Sequence, residues 1–83
     1  MDSRLVIFCN DDENYKLDIE VPLNITANDL IYALNESLDL KMDPEDIYNN
    51  YFVAENPIAF IKGNRTLEEF DIRNGTRIIY KRR

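Results

Sequence analysis

The chain has 83 residues, of which 45% are apolar and 31% charged, and its net charge is −6. This length fits one domain over residues 1–83, and the apolar fraction predicts a packed globule rather than a disordered chain. The negative charge argues against a nucleic-acid partner, because backbone phosphates would repel it. No apolar run suits a signal peptide or a membrane span, so we expect a cytoplasmic protein without direct membrane insertion.

The first two predicted elements are strands that form a β-hairpin. Residues 3–9 are apolar and β-branched, and residues 15–21 alternate strictly between apolar and charged side chains. The alternation predicts a strand with one face towards a core and the other in solvent. Residues 10–14 supply a polar turn between the two strands. Pro22 ends the second strand because it has no N–H to donate to a sheet.

A helix is predicted to begin after Thr26. Thr26 and Asp29 have the spacing of a capping box, in which each side chain bonds a free backbone N–H of the first helical turn. Apolar residues at helical spacing then give the helix one apolar face for packing on the hairpin. These residues are Leu30, Ile31, Leu34 and Leu38.

The second half of the chain is predicted to contain short strands joined by turns. A polar connection covers residues 41–50, one helical turn is expected within 66–72, and Asn74-Gly75 is a strong turn signal. The predicted strands are 51–54, 58–62 and 76–81. The predicted order is therefore β-β-α-β-β-turn-β.

Two segments resemble ubiquitin. TANDLIYAL, residues 26–34, is similar to the entry of the ubiquitin helix, and RTLEEFDIRNGTRIIY, residues 65–80, is similar to the run that leads into its last strand. Together with the element order, the resemblance covers almost the entire chain. It implies an α+β, β-grasp (ubiquitin-like) fold, with a mixed sheet of four to five strands and one main helix packed on it.

A narrower resemblance is to the YukD/EsaB family, which accompanies the type VII (Esx) secretion machinery of low-GC Gram-positive bacteria. The chain is similar to that family in its hairpin start, its acidic helix after a Pro-containing loop, and the ending IRNGTRI, residues 72–78. The basic extension KRR, residues 81–83, departs from the family pattern. The resemblance implies a cytoplasmic accessory protein that docks on a cytoplasmic domain of a membrane secretion complex and regulates its assembly or export.

Glycine usage bears on covalent attachment through the C-terminus. Conjugation and sulfur carriage use a glycine tail, because an activating enzyme must thread the tail through a narrow channel. The two glycines, Gly63 and Gly75, are not adjacent, and neither lies near the basic end. We therefore expect a non-conjugated protein. A carrier or modifier loaded at its C-terminus stays an alternative, as does a ubiquitin-like regulator of another pathway, such as a phage or stress protein.

The residue types do not favour catalysis or metal binding. The chain has no histidine, and Cys9 lies in an apolar strand, where a small buried residue is expected rather than a nucleophile. The acidic residues of 11–13 and 43–46 lack the spacing of a calcium loop, which favours solvated turns. We predict no enzymatic activity, no cofactor and no metal site.

The remaining functional hypothesis is a protein-binding surface on the exposed side of the sheet. In the last strand, alternation directs Ile78 and Tyr80 inward and Arg77, Ile79 and Lys81 outward. Ile79 would then be an apolar spot with a basic rim that reads acidic residues of a protein partner. The predicted protein-binding residues are Arg77, Ile79, Lys81, Arg82 and Ala54. The alternative is that Ile79 is a solitary exposed apolar residue.

The charge distribution along the chain bears on the same surface. Residues 1–60 contain 3 basic and 13 acidic side chains, a balance of −10. Residues 61–83 contain 7 basic and 3 acidic side chains, a balance of +4. Two interpretations stay open: a polarised but merely solvated surface, or a bipolar surface that orients the domain against a charged protein partner. The sequence identifies neither that partner nor the oligomeric state.

Overall fold

The computed structural model describes residues 2–46 and 48–81. Within them the chain forms five strands and one α-helix in the predicted order. The elements are β1 (Ser3–Asn10), β2 (Tyr15–Pro22), α1 (Ala27–Leu38), β3 (Phe52–Glu55), β4 (Ala59–Ile61) and β5 (Arg77–Tyr80). The order of strands across the sheet is β2-β1-β5-β3-β4. β1 and β5 are parallel and the other neighbours antiparallel, so the sheet is mixed, as expected.

The N-terminal hairpin pairs over its full length, from Ser3 opposite Pro22 to Asn10 opposite Tyr15. Its turn is held by the buried Asn10 side chain, whose Oδ1 accepts hydrogen bonds from the backbone N–H groups of Asp12 and Glu13, both at 3.0 Å. Asn10 therefore acts as an Asx-type turn residue, the role that short amide side chains favour in tight connections.

The capping box predicted for α1 is present. Thr26 Oγ1 accepts a hydrogen bond from the Asp29 N–H at 3.1 Å, and the Asp29 carboxylate accepts one from the Thr26 N–H at 3.1 Å. Thr66 and Glu69 repeat this arrangement at the single turn before β5, with bonds of 3.2 and 3.3 Å. The two caps lie side by side, because Thr26 and Thr66 form an isolated antiparallel bridge.

The core lies between α1 and one face of the sheet. Its largest fully buried side chains include Phe8 and Phe52, whose ring centroids are 5.7 Å apart in an edge-to-face arrangement. The Tyr80 ring packs edge-on against Phe52 at 6.1 Å, and its hydroxyl donates to the Leu40 carbonyl at 3.0 Å. The helix contributes four buried residues, which are Ala27, Leu30, Ile31 and Leu34. Each buried leucine or isoleucine contributes about 1.5–3 kcal/mol of transfer free energy.

The predicted inward face of β2 is only partly buried. Val21 is 3% exposed, whereas Leu17 is 39% exposed and Tyr15 and Ile19 are half-buried. β2 lies at the edge of the sheet, so no further strand closes the core on that side.

Among the described residues no helix is long and apolar enough to cross a membrane.

Candidate protein-binding surface

The side of the sheet opposite α1, here called the outer face, carries the residues that the sequence directed outward. In β5, Ile78 and Tyr80 are buried in the core, at 1% and 6% exposure. Arg77 and Ile79 alternate with them and are half-buried, and Lys81 is exposed. The predicted orientations in β5 are therefore confirmed.

One apolar row crosses four strands of the outer face. The strand registers place Cys9 beside Ile79, Ile79 beside Val53, and Val53 beside Phe60. Neighbouring strands are about 4.8 Å apart, so these side chains lie close together. Exposure rises along the row, from 1% at Cys9 to 67% at Phe60. Within this row the accessible apolar surface is therefore greatest at Phe60, on β4.

A second aromatic ring lies next to this row. Tyr51, just before β3, packs edge-on against Phe60 with ring centroids 5.6 Å apart, and Lys62 Nζ is 5.9 Å from the centre of the Tyr51 ring. These three side chains line an open cleft of about 250 Å³. We call Ile79, Val53, Phe60 and Tyr51 the sheet-face patch. Apolar groups of this kind, bordered by charge, are typical of protein-binding sites.

The charged groups around the sheet-face patch are mixed rather than purely basic. Arg77 forms an ion pair with Glu55 at 3.4 Å, and its guanidinium also approaches the Cys9 sulfur at 3.8 Å. The contact with Cys9, followed by the attraction of Glu55, raises the pKa of Arg77 above its ordinary value. Arg77 is therefore cationic at every working pH, and Glu55 offsets much of its charge.

Two further cations near the sheet-face patch, Lys81 and Lys62, differ in their surroundings. Lys81 borders a groove of about 250 Å³ that also contains Asp43 and Asp46. Lys62 forms no ion pair with any residue of 2–46 or 48–81. The predicted basic rim is thus most clearly cationic at Lys62, which the sequence interpretation did not include. Arg82, which it did include, lies outside the described residues.

The prediction that Ala54 contributes to the surface is wrong. Ala54 has no exposed area and belongs to the core, on the same face of β3 as Phe52. Successive residues of a strand point to opposite faces, so Val53 takes the outward position next to Ile79.

Four residues of the surface were missed from the sequence: Tyr51, Val53, Phe60 and Lys62. In IAFIK, residues 58–62, apolar side chains occupy four successive positions, so alternation gives no face for Phe60. The structure separates them, with Ile61 fully buried and Phe60 67% exposed. The available signal was Lys62, because a charged residue two positions after Phe60 marks the solvent face of the strand.

Cys9 is buried, as expected, but it lies on the outer face under the Arg77 guanidinium and not in the core between sheet and helix. Its position beside Ile79 follows from the register of β1 with β5. Among the described residues, no group of three or more acidic or cysteine side chains is arranged to hold a metal ion.

Comparisons with known proteins identify the fold. No protein-family model and no curated protein matches the chain. A protein designed de novo on the basis of ubiquitin has a TM-score of 0.63 and 22% identity, over 95% of this chain and 87% of the other. The C-terminal ubiquitin-like domain of mouse tubulin-specific chaperone e has a TM-score of 0.68 and 13% identity, with the same coverage. At these identities the likeness concerns the fold alone, and the chain has the α+β, ubiquitin-like β-grasp fold.

Proposed function

We propose that this chain is a non-enzymatic protein-interaction module that holds its partner non-covalently on the sheet-face patch. The observation that carries the proposal is the exposure of apolar side chains on the outer face, chiefly the 67% exposure of Phe60. The core on the other face is already closed by α1, and these side chains take no part in it.

The geometry of the sheet suits a binding surface. Ile79 and Val53 lie on neighbouring hydrogen-bonded strands, so their positions are fixed before a partner arrives. A preformed surface loses little conformational entropy on binding, which improves affinity for a given contact area. An apolar side chain of the partner would pack against the sheet-face patch, and a nearby carboxylate would pair with Lys62.

We further propose that the partner is a cytoplasmic domain of a membrane secretion complex of type VII. The chain would then be a cytoplasmic accessory or regulatory component of that system. The support is the resemblance to the YukD/EsaB family in the hairpin, the acidic helix and the ending at residues 72–78. In this chain Asn74 Oδ1 in that ending accepts a hydrogen bond from the Leu5 N–H at 2.9 Å, which ties the β5 entry to β1.

Partner capture with matched variants tests both proposals. Ile79→Asp and Phe60→Asp each place a charge in the sheet-face patch. Tyr32→Asp adds the same charge on α1, at a residue that is 59% exposed, against 67% for Phe60. We expect the wild type and Tyr32→Asp to recover secretion-complex components equally. The two patch variants should lose at least about tenfold in recovery, as expected for a buried charge at an interface centre.

Each outcome bears on a different part of the proposal. Equal recovery by all four proteins, with folding checked by circular dichroism, would show that the sheet-face patch is not the binding site. Loss of binding in the two patch variants, together with a set of partners unrelated to secretion, would keep the surface and overturn the secretion assignment.

A further inference from the structure

The two edges of the sheet are built differently. The β2 edge is eight residues long and places Lys16, Asp18 and Glu20 on its outer face. The β4 edge is three residues long and presents Phe60. The preceding turn adds Ile58, which is 87% exposed. Charged side chains protect edge strands from pairing with other chains, whereas exposed apolar side chains favour it. The β2 edge is thus protected by charge, whereas the short β4 edge presents exposed apolar side chains.

We propose that the β4 edge accepts an extended, acidic and apolar segment of the partner protein as a sixth strand of the sheet. This inference rests on the proposed function, since it specifies how the partner is held. β4 has β3 on one side, and no described strand lies on the other. Alternate residues of an edge strand direct their N–H and C=O groups away from the sheet, where an added strand can pair with them.

The side chains at this edge define the segment. Phe60 and Lys62 are two residues apart and line the same cleft, together with Tyr51. Residues two apart on an added strand also share a face. An apolar residue opposite Phe60 would enter the aromatic cleft, and an acidic residue two positions away would reach Lys62. The sequence pattern is therefore apolar-any-acidic, or its reverse for the opposite strand direction.

Charge favours such a segment over a second copy of this chain. Lys62 forms no ion pair within the described residues, so a carboxylate of the added segment could pair with its ammonium group. Two copies could pair through β4 in an antiparallel arrangement centred on Phe60. Lys62 of one copy would then lie opposite Ile58 of the other, and Lys62 would gain no carboxylate partner.

A titration with synthetic peptides tests the inference. The probe is an acetylated and amidated peptide with the one-letter sequence DEVIVIDE, added to the full chain and followed by two-dimensional amide NMR. The strongest shifts should fall on β4 and Tyr51, and amide exchange should slow in β4. A peptide in which lysine replaces every acid should bind at least about tenfold more weakly.

Two further comparisons separate strand pairing from side-chain contact. Methylating alternate backbone nitrogens removes the N–H groups along one edge of an extended peptide. Of the two alternately methylated versions, one should bind like the parent and the other should not bind. Lys62→Glu should weaken binding of the parent peptide about tenfold. Lys16→Glu makes the same charge change on the β2 edge and should leave the affinity within about twofold.

Equal binding of the two methylated peptides, shifts confined to β2, or no binding at about 1 mM peptide would overturn the strand-addition inference. The capture experiment with Ile79→Asp and Phe60→Asp is independent of that result. A partner that depends on the sheet-face patch but does not pair with β4 would leave the proposed function intact.

Discussion

The two faces of the sheet differ in whether the fold covers their apolar side chains. On β5, Ile78 and Tyr80 are buried in the core, while the alternating Ile79 stays half-exposed. On β3, Phe52 is fully buried and Val53 is not. One face is closed by α1, and the other contains apolar side chains that no described element covers. Apolar residues on the inner face are explained by stability, whereas those on the outer face are the basis of the proposed binding surface.

The largest expected contrast between the faces is at two phenylalanines. Phe52→Ala should lower the free energy of unfolding by about 3–5 kcal/mol, because it opens a cavity between the Phe8 and Tyr80 rings. Phe60→Ala should cost less than about 1 kcal/mol, because Phe60 is already largely in solvent. Urea denaturation of both variants measures the difference. Equal losses would mean that the outer face also stabilises the fold.

A buried hydroxyl should show the next largest effect. Thr76 has no exposed area, and its Oγ1 donates to the Asn56 carbonyl at 2.7 Å and accepts from the Arg73 N–H at 2.9 Å. Thr76→Val keeps the side-chain shape but leaves the Asn56 carbonyl and the Arg73 N–H without this partner. We expect the free energy of unfolding to fall by about 2 kcal/mol. Ser3→Ala removes a hydroxyl that bonds Glu20 at the surface and should change stability by less than about 0.5 kcal/mol. A Thr76→Val protein as stable as Ser3→Ala would contradict the assignment of these hydrogen bonds.

A single tyrosine hydroxyl gives a smaller test of the inner face. Tyr80→Phe removes the hydrogen bond to the Leu40 carbonyl and should lower the unfolding free energy by about 1 kcal/mol. Tyr32→Phe is the matched control, because Tyr32 is 59% exposed on α1. Thermal unfolding of the two variants should separate them, and identical transitions would argue against the Tyr80 bond.

The smallest effect is expected at the outer ion pair. Arg77→Gln should lower the unfolding free energy less than Tyr80→Phe does, because solvent screens the largely exposed pair with Glu55. The pKa of Arg77 is raised in the folded state, so its contribution is present below the unfolded pKa and lost only as pH rises through the folded value. Both values lie above the working range, so the arginine itself should give no pH dependence between about pH 6 and 9. A loss of its contribution within that range would contradict this charge state.

The sequence was sufficient to predict features that depend on residues close together along the chain. Thr26 and Asp29 are three residues apart and form the predicted cap. The strict alternation in β5 correctly placed Ile79 outward. The fold followed from the same local signals, read together with the resemblance to ubiquitin.

The candidate surface was harder to predict from the sequence, because strand register brings its residues together. Phe60 lies beside Val53 only through the pairing of β4 with β3, and that pairing is not encoded in a local period. The apolar run around Phe60 gave no alternation from which to assign its face. Ala54 was assigned to the wrong side because alternation places it on the face of Phe52 without saying which face of β3 is inward, and in the structure both residues are buried.

The most direct test of the central claim places a photo-crosslinking amino acid at position 60 in one protein and at position 32 in another, in living cells. Both residues are large, exposed and aromatic, but they lie on the outer face and on α1. We expect partner adducts from position 60 and few or none from position 32. Adducts from position 32 alone, or equally from both, would contradict the claim that this protein acts through the outer face of its sheet.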